Sequence, residues 1–169
     1  MTAPAVVWVL GSDSDLPHIQ DGLAALRELD VPFEVRLLSA HRTPDAVDEL
    51  AREARGRGVR VLIGVAGGAA HLPGVLAART TLPVIGVPIP TDLAGGLDSL
   101  LSIVQMPAGI PVAAVAAGKS GGRNAALLAA SILSLGDVRL ATALESLRRS
   151  MADKVLARDR DKGVRLPAG

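Results

Sequence analysis

The sequence contains no cysteine and no tyrosine, and its aromatic residues are limited to Trp8 and Phe33. The absence of cysteine excludes disulfides, thiolate metal ligands and cysteine nucleophiles, and it suits the reducing cytoplasm. With two aromatic rings, a platform that stacks nucleobases or a flavin can hardly be built. Neither sign of charge is in excess, since 18 Lys and Arg offset 17 Asp and Glu. A nucleic acid is therefore not the expected partner.

Long apolar segments are also missing. Charged residues, glycine or proline interrupt every apolar run before it could span a bilayer, and the first ten residues do not resemble a signal peptide. We therefore expect a cytoplasmic protein with no membrane partner. The 169 residues, 49% of them apolar, suit one α/β domain over 1–169, with a core at about 5–135 and a C-terminal helix and tail at 137–169.

Five short apolar runs alternate with helical patterns along the chain. The runs lie at residues 6–10, 33–38, 61–65, 84–87 and 112–115. Near-continuous apolar runs of this kind are typical of strands covered on both faces. Alternation with helices predicts right-handed βαβ units, and hence a parallel, doubly wound sheet in three layers. Periodicity does not fix the strand order; we expect 2-1-3-4-5.

The helical patterns differ in how clearly they are marked. Two have apolar residues at helical spacing, namely Ile19, Leu23, Leu26 and Leu29, and then Val47, Leu50, Ala51 and Ala54. The second follows an N-cap at Thr43 and has Pro44 at the first helical position. Further helices are expected at 97–105 and 123–135.

The pattern changes after Gly136 to a charged amphipathic helix. Its apolar stripe consists of Leu140, Leu144, Leu147, Met151 and Val155. Such a stripe indicates core or subunit contact rather than a membrane or cofactor surface. We interpret the helix as an oligomerisation arm, and we expect the charged tail from Arg158 onward to fray.

The loops after the first three predicted strands carry the candidate binding groups. They read GSDSD at 11–15, SAHR at 39–42 and AGGAAHLPG at 66–74. In open α/β sheets the ligand lies beyond the carboxyl ends of the strands, where helix starts offer unpaired N–H groups to a phosphate. Ser12, Ser14 and Ser39 can donate hydroxyl hydrogen bonds to such an anion, and Arg42 supplies a bidentate charged contact.

Asp15 would repel a phosphate at close range. Two interpretations stay open for its carboxylate: it accepts hydrogen bonds from sugar hydroxyls, or it or Ser14 caps the following helix. The two roles are compatible for Ser14. In the third loop, small residues such as Ala66 and Gly67 let a ligand approach backbone N–H groups directly.

His41 lies between Ser39 and Arg42 at the predicted ligand face. A histidine in a loop is most often a solvated surface residue, but this position favours function. An imidazole can give and take a proton near neutral pH, an ability worth about 10²–10⁴ in rate. We therefore predict that His41 is a catalytic acid and base.

The other two histidines carry weaker signals. His71 also lies at the ligand face, where substrate binding and a structural role at a helix start are equally compatible with the sequence; we include it among the binding residues. His18 falls in the first turn of a helix and is expected at the surface. A metal site of His41, His71 and Asp13 is conceivable but not favoured, since no pair has a close metal-binding spacing.

Three other nucleotide and phosphate signatures are incomplete. GKS at 118–120 looks like part of a P-loop, but the first glycine that the motif needs falls on Ala113. No G-x-G-x-x-G follows a predicted strand, which counts against a dinucleotide. A phosphoacceptor module needs an aspartate at the end of the third strand, and GVAGG at 64–68 has none. A flavodoxin-like binding module remains the non-enzymatic alternative.

Five segments together resemble one family. GSDSD, SAHRTP, AGGAAHLPG, DSLLSIVQMP and GKSGGRNAALLAASIL stand in the order and spacing of the 5-(carboxyamino)imidazole ribonucleotide mutases of purine biosynthesis. The resemblance covers about residues 5–135. It implies a three-layer flavodoxin-like sandwich with a five-stranded parallel sheet, a homo-octamer, an imidazole ribonucleotide as substrate, and no metal or organic cofactor. The implied reaction moves a carboxylate from the exocyclic nitrogen to the adjacent ring carbon.

The resemblance also implies roles for single residues. His41 matches the family's catalytic histidine. Matches to its substrate-binding residues are Ser12, Asp15 and Arg42. Matches to positions near the phosphate are Ser14 and Ser39. Ala66 and Gly67 match the backbone that faces the migrating carboxyl group.

The nearest rival function is that of the CO₂-dependent aminoimidazole ribonucleotide carboxylases of animals. Those enzymes carry a different sequence after the third strand, and GGAAHLPG at 67–74 resembles the mutase version. One segment departs from the mutase pattern. Residues 91–96 read TDLAGG, where the family typically has a serine and then LSG or similar, so contacts from this loop stay open.

Overall fold

A computed structural model describes residues 3–163 and contains one parallel sheet of five strands in the order β2-β1-β3-β4-β5. The strands are β1 Val6–Leu10, β2 Phe33–Leu37, β3 Val61–Ala66, β4 Val84–Pro88 and β5 Ala113–Ala114. The helices are α1 Leu16–Glu28, α2 Pro44–Glu53, α3 Leu72–Ala77, α4 Leu97–Val104, α5 Gly118–Ser134 and α6 Val138–Lys162. This is the doubly wound order of flavodoxin-like folds. The predicted α/β class, parallel sheet and strand order are confirmed.

Helices cover both faces of the sheet because its central strands are apolar on both sides. Successive side chains of a strand point to opposite faces, so the run VVWVL of β1 contributes to two cores. Trp8 packs into the core formed with α1, α5 and the start of α6. Val7 packs into the core formed with α2, α3 and α4. These two cores are the interfaces of the predicted three-layer sandwich.

The two edge strands depart from the sequence pattern. β2 is only partly buried and ends at Leu37, one position before the predicted end at 38. β5 is shorter than the predicted run 112–115 and comprises two residues. An edge strand has a neighbour on one side only, and Pro111 before β5 has no N–H to donate to a ladder. The apolar run therefore marked the place of β5 but overestimated its length.

Two helices were misjudged from sequence. Of α3, only a helix start at His71 was considered and no bounds were predicted, since six residues are too few to show a helical period. α5 begins at Gly118, whereas its predicted start was 123, because glycine is a poor helix former. Gly122 is needed for close contact with α1, since a Cβ at this position would lie 2.2 Å from the carbonyl oxygen of His18. Tertiary packing therefore outweighs local propensity here.

Gly122→Ala is expected to destabilise the fold strongly. The new methyl group has no space between α5 and α1, so the loss should reach the upper end of the about 1–3 kcal/mol typical of overpacking. Urea unfolding of both proteins measures it. The matched control is Gly136→Ala, where a Cβ meets nothing within 4 Å. Equal stability of the two variants would contradict the close packing of α1 and α5.

The C-terminal helix α6 is present as predicted but packs only through its first half. Leu140 is buried and Leu144 is partly buried against the α1–α5 core. Farther along the same stripe, Met151 and Val155 are 48% and 65% exposed. The helix continues to Lys162, past the predicted start of the frayed tail at 158. Residues 164–169 of that tail lie outside the described part of the chain, and the single domain over 1–169 stays a prediction.

None of the helices within residues 3–163 is long and apolar enough to cross a membrane.

Candidate active site

A cavity of about 250 Å³ opens at the carboxyl edge of the sheet, between the loops that follow β1, β2 and β3. Parallel strands end at the same edge, which brings together loops that are far apart in sequence. The cavity is lined by every predicted site residue except Ser14: Ser12, Asp15, Ser39, His41, Arg42, Ala66, Gly67 and His71.

Ser14 lies one contact away from the cavity. Its hydroxyl donates a hydrogen bond of 2.8 Å to the Ser12 hydroxyl, and its backbone N–H also donates to that oxygen at 3.3 Å. Ser12, not Ser14 or Asp15, is the N-cap of the short 3₁₀ turn Asp13–Asp15. Of the alternatives left open by the sequence, Asp15 stands at the N-cap position of α1 but makes no capping hydrogen bond there with its side chain, and Ser14 is the N-cap of neither element.

The imidazoles of His41 and His71 meet directly at the mouth of the cavity. His41 Nε2 lies 2.8 Å from His71 Nδ1, and the rings are edge to face with centroids 4.9 Å apart. A hydrogen bond between two ring nitrogens needs a proton on one and a lone pair on the other. The pair can therefore hold one shared proton and pass it to a molecule in the cavity.

His71 occupies the N-cap position of α3 but makes no capping hydrogen bond with its side chain. Of the two roles left open by the sequence, its backbone serves the helix start and its imidazole contacts His41. The metal alternative finds no support in this arrangement, because Asp13 is hydrogen-bonded within its own turn to Ser12 and Ser14. Within residues 3–163, no three His, Asp or Glu side chains are grouped to hold a metal ion.

The loop that carries His41 is held by its own hydroxyl groups. The Ser39 hydroxyl accepts from the backbone N–H groups of His41 and Arg42, at 3.4 and 3.2 Å. Thr43, predicted as the N-cap of α2, stands at that position but caps nothing with its side chain. Its hydroxyl instead accepts from the Ser39 N–H at 2.9 Å and donates to the Ser39 carbonyl at 3.1 Å. Thr43 therefore fixes the loop rather than the helix.

Arg42 connects two of the loops that form the cavity. One guanidinium nitrogen donates a 2.8 Å hydrogen bond to the Gly11 carbonyl at the end of β1. A guanidinium has five N–H donors, so the others stay available to a bound anion. The side chain is thus oriented by the protein and still able to bind phosphate in bidentate fashion.

Asp15 is buried at the base of the cavity, where it is 6% exposed. Its Oδ2 accepts a 3.1 Å hydrogen bond from the Ser12 backbone N–H, which completes a capping box. Burial raises the pKa of the Asp15 carboxyl above its ordinary value, and this hydrogen bond and the nearby His18 offset part of the rise. The site therefore keeps an ionisable group in surroundings that disfavour its charge.

Asp15→Asn should stabilise the protein at neutral pH. A carboxyl whose folded pKa is raised contributes stability below its unfolded pKa and loses it as pH rises through the folded pKa. Asparagine keeps the acceptor oxygen for the Ser12 N–H and never carries the charge. Urea unfolding at several pH values should show a gain at neutral pH that disappears in acid. A variant that is less stable at neutral pH would contradict the cost assigned to burying this carboxylate.

The loop after β3 has an unusual backbone. Gly68 and Ala70 both have positive φ, 65° and 42°, and the second is uncommon for alanine. The Gly68 N–H donates a 2.9 Å hydrogen bond to the Ser99 hydroxyl of α4. A Cβ at Gly67 would lie 3.3 Å from Ile89, so the loop passes closely over the residues after β4. Small residues are therefore required here by packing as well as by ligand access.

Two further cavities help to define the site. One of about 350 Å³ lies on the far side of the histidine pair and is lined by Met106, Val75 and Ser102, among others. A larger one of about 800 Å³ lies before β4 and β5, at the opposite edge of the sheet. It contains Arg52 and neither His41 nor His71. Size alone would favour the larger cavity, but the loops with acid, base and anion-binding groups converge on the smaller one.

Comparisons with known proteins agree with this geometry. A profile of a family described as AIR carboxylase matches residues 5–154. The chain belongs to the AIR carboxylase family. An N5-carboxyaminoimidazole ribonucleotide mutase of Mycobacterium leprae is 54% identical over 158 residues, which are 94% of this chain and 91% of that protein. A protein of the same name in Bacillus subtilis is 53% identical over 153 residues, which are 90% of this chain and 94% of the relative.

A solved structure shows that the similarity covers nearly the whole fold. The crystal structure of Treponema denticola PurE has a TM-score of 0.86 and 31% sequence identity, and the match covers 95% of this chain and 99% of that chain. The predicted membership of the family of carboxyaminoimidazole ribonucleotide mutases is confirmed by these relatives. The sequence resemblance, placed at about 5–135, was too short, since the AIR carboxylase profile continues through most of α6.

Two features near the site of this AIR carboxylase family member were not predicted from its sequence. His18, expected at the surface, is half-buried, and its Nδ1 is enclosed without a hydrogen-bond partner among residues 3–163. Ser99 is fully buried and contacts the β3 loop, although its segment DSLLSIVQMP was used only as a family signature. The available signal for Ser99 was its spacing: it shares one face of α4 with apolar Ile103.

Proposed function

We propose that this chain is an N5-carboxyaminoimidazole ribonucleotide mutase. It moves the carboxylate of 5-(carboxyamino)imidazole ribonucleotide from the exocyclic nitrogen to the ring carbon, giving 5-amino-4-carboxyimidazole ribonucleotide for purine biosynthesis. The observation that carries the proposal is the cavity in which the His41–His71 pair, Arg42 and the small-residue loop after β3 converge. The names of relatives more than 50% identical over about nine-tenths of the chain support it.

The reaction needs a proton that is given and then taken back. In the first step, His41 donates a proton to the exocyclic nitrogen as its bond to the carboxyl carbon breaks, leaving aminoimidazole ribonucleotide and CO₂. In the second, the ring carbon attacks CO₂ and forms the new C–C bond. His41 then removes the proton from that ring carbon. Protons and electron pairs balance, so no outside reagent and no covalent enzyme intermediate are required.

His71 is a suitable partner for this exchange. Its Nδ1, 2.8 Å from His41 Nε2, can hold the shared proton while the carbon–nitrogen bond is intact. The contact also orients the His41 ring toward the cavity. His71 therefore binds the substrate and positions the His41 ring, while His41 exchanges protons with the reacting atoms.

The remaining predicted residues divide between the two ends of the substrate. Arg42 and the hydroxyls of Ser12 and Ser39 bind the phosphate, and Ser14 assists through the hydrogen bond that its hydroxyl donates to Ser12. Asp15 accepts hydrogen bonds from the ribose hydroxyls. The backbone at Ala66 and Gly67 holds the migrating carboxyl group. Confinement beside these small residues keeps CO₂ close to the ring carbon, so that recapture is faster than escape. No metal or organic cofactor takes part in this scheme.

Product analysis tests the proposal directly. The purified protein is mixed with the carboxyamino substrate in bicarbonate-free buffer, and the carboxylated product is separated and quantified against a sample without enzyme. The protein should convert the substrate with no added metal or nucleotide. Absence of the C-carboxylated product would rule the proposal out.

The second candidate is the CO₂-dependent carboxylase, favoured by the description of the matching family profile. The carboxylase and the mutase differ in the ribonucleotide that they use as substrate. A carboxylase forms product from aminoimidazole ribonucleotide at low bicarbonate, whereas the mutase needs the carboxyamino compound. Efficient conversion of the uncarboxylated ribonucleotide at low bicarbonate would assign the chain to the carboxylases.

Arg42→Ala should raise KM far more than it changes kcat. A hydrogen bond to a charged group contributes about 1.5–3 kcal/mol, which corresponds to about a ten- to hundredfold loss of affinity. Steady-state kinetics on the carboxyamino substrate measures it. The matched control is Arg52→Ala on α2. Arg52 pairs with Asp48 and lies outside the cavity that holds His41 and Arg42, so its removal should leave KM unchanged. An unchanged KM for Arg42→Ala would remove this residue from phosphate binding.

The proposal includes a homo-octamer in the cytoplasm. Two exposed apolar surfaces support assembly: the second half of the α6 stripe, and a row on α4. A cavity of about 250 Å³ is also smaller than the about 300–1,000 Å³ usual for ligand sites, which suits a site completed by neighbouring copies. Sedimentation of the purified protein tests the octamer, and fractionation of cells tests the location.

A further inference from the structure

Ser99 forms a buried connection between two loops at the site. Its side chain is completely inaccessible to solvent, in a helix whose buried face is otherwise apolar. The hydroxyl accepts a 2.9 Å hydrogen bond from the Gly68 N–H and donates a 2.8 Å hydrogen bond to the Ile89 carbonyl. One hydroxyl therefore satisfies a donor in the loop after β3 and an acceptor in the loop after β4.

The backbone that Ser99 holds is the part of the site with the least favourable conformation. Gly68 has φ 65°, and Ala70 has φ 42° in a region where alanine is strained. Such conformations persist only where surrounding contacts determine them. The contacts here include the Ser99 bond and a 3.2 Å bond from the Ala70 N–H to the Gly67 carbonyl. They also include a 2.9 Å bond from the Ile89 N–H to the Ala66 carbonyl and a long, 3.5 Å bond from the Ser102 hydroxyl to the Gly68 carbonyl.

The same bonds determine which backbone groups face a ligand. The Gly68 N–H is committed to Ser99, while its neighbour Gly67 lines the cavity. Rotation of the peptide that joins Gly67 and Gly68 would redirect the Gly67 carbonyl and the Gly68 N–H together. Ser99 lines neither this cavity nor the one beyond the histidine pair, so it acts on the site only through this loop.

We propose that Ser99 is a positioning residue that locks the Ala66–Ala70 loop in the conformation that retains CO₂ between its release and recapture. The inference rests on the proposed mutase reaction and deepens it. It assigns a role to a buried helix residue that touches no substrate. Without the Ser99 hydroxyl, the peptide that joins Gly67 and Gly68 is held only through the bond from the Ala70 N–H to its carbonyl, so the loop opens more often, and CO₂ escapes in a larger share of turnovers.

The experiment compares Ser99→Ala and Ser99→Cys with the wild-type protein. Alanine removes the hydroxyl, and cysteine keeps nearly its volume but is a weak donor and acceptor. Each enzyme is given the carboxyamino substrate, and two products are quantified: the C-carboxylated ribonucleotide and the aminoimidazole ribonucleotide left when CO₂ escapes. The spontaneous decay of the carbamate is subtracted with an enzyme-free sample.

Both variants should release several times more aminoimidazole ribonucleotide per product formed than the wild type. Loss of one neutral hydrogen bond corresponds to a decrease in kcat of about two- to tenfold, and KM should change less than kcat. Amide hydrogen exchange across residues 67–70 should be faster in both variants, independently of activity. If Ser99→Ala does not fold, Ser99→Cys alone carries the same expectations.

Ile103→Val is the matched control. It removes a methyl group from the same buried face of α4 and lowers stability without touching the Gly68 contact. Its product ratio should equal that of the wild type. A wild-type ratio in Ser99→Cys would overturn the inference, since volume rather than hydrogen bonding would then be what matters, and the mutase function would stand. A wild-type protein without mutase activity would instead refute the proposed function, and the inference with it.

Discussion

His41→Asn is expected to lower kcat by about 10²–10⁴, the usual contribution of a positioned general acid and base. Asparagine has nearly the shape of the imidazole near the backbone, but its amide ends short of the Nε2 position that contacts His71, and it cannot donate and recover a proton. KM should change little, because the phosphate and sugar contacts come from other residues. Steady-state turnover of the carboxyamino substrate measures the effect, and an unchanged melting temperature shows that the fold is intact.

The matched control for this experiment is His18→Asn. It removes the one histidine that lies outside the cavity, in α1, so turnover should be retained. If His41→Asn kept near-normal turnover, His41 would have no part in proton transfer. A large loss in His18→Asn as well would indicate a general effect of removing imidazoles rather than a specific role.

The sheet could be predicted from the sequence because the apolar runs of its central strands identify them without reference to the rest of the chain. The run at 6–10 is apolar on both faces, and it became β1 at the same bounds. Strands that are covered on both faces and alternate with helices can form only a few sheet topologies. The expected strand order 2-1-3-4-5 was correct. The edges were less well predicted, since β5 depends on backbone pairing with β4 rather than on its own side chains.

Close helix packing could not be predicted, because it depends on a partner distant in sequence. Gly121 and Gly122 count against a helix when propensity alone is considered. In the structure Gly122 lets α5 approach α1 at a separation that a side chain would prevent, and Gly121 leaves room for the carbonyl of Ala116, just before α5. The early start of α5 is therefore a tertiary effect.

Most candidate site residues could be located from topology. Loops that follow parallel strands meet at one edge, and this rule alone placed His41, Arg42 and Asp15 around one cavity. Topology could not give side-chain partners. The contact between His41 and His71 spans 30 positions, and the bond between Gly68 and Ser99 spans 31. The functions of these residues stay predictions until the variants are measured.

Leu101→Glu is expected to dissociate the homo-octamer that we propose. Leu97, Leu101 and Val104 follow one another at helical spacing on α4 and are each close to half exposed, at 49%, 50% and 47%. The opposite face of α4 is buried through Ser99 and Ile103, so this row has no partner within residues 3–163. Contiguous apolar surface of this kind marks an interface, and a carboxylate buried there without a partner is strongly unfavourable.

Analytical ultracentrifugation distinguishes the outcomes for this variant. Leu101→Glu should sediment as a smaller species, whereas Leu101→Met, which keeps the apolar surface, should remain octameric. Because the cavity is small for its substrate, activity should fall together with assembly in Leu101→Glu, although no residue of the cavity has changed. Full activity in a dissociated Leu101→Glu protein would show that one chain forms a complete site. Persistence of the octamer would instead exclude this row of α4 from the interface and leave the α6 stripe as the surface on which assembly depends.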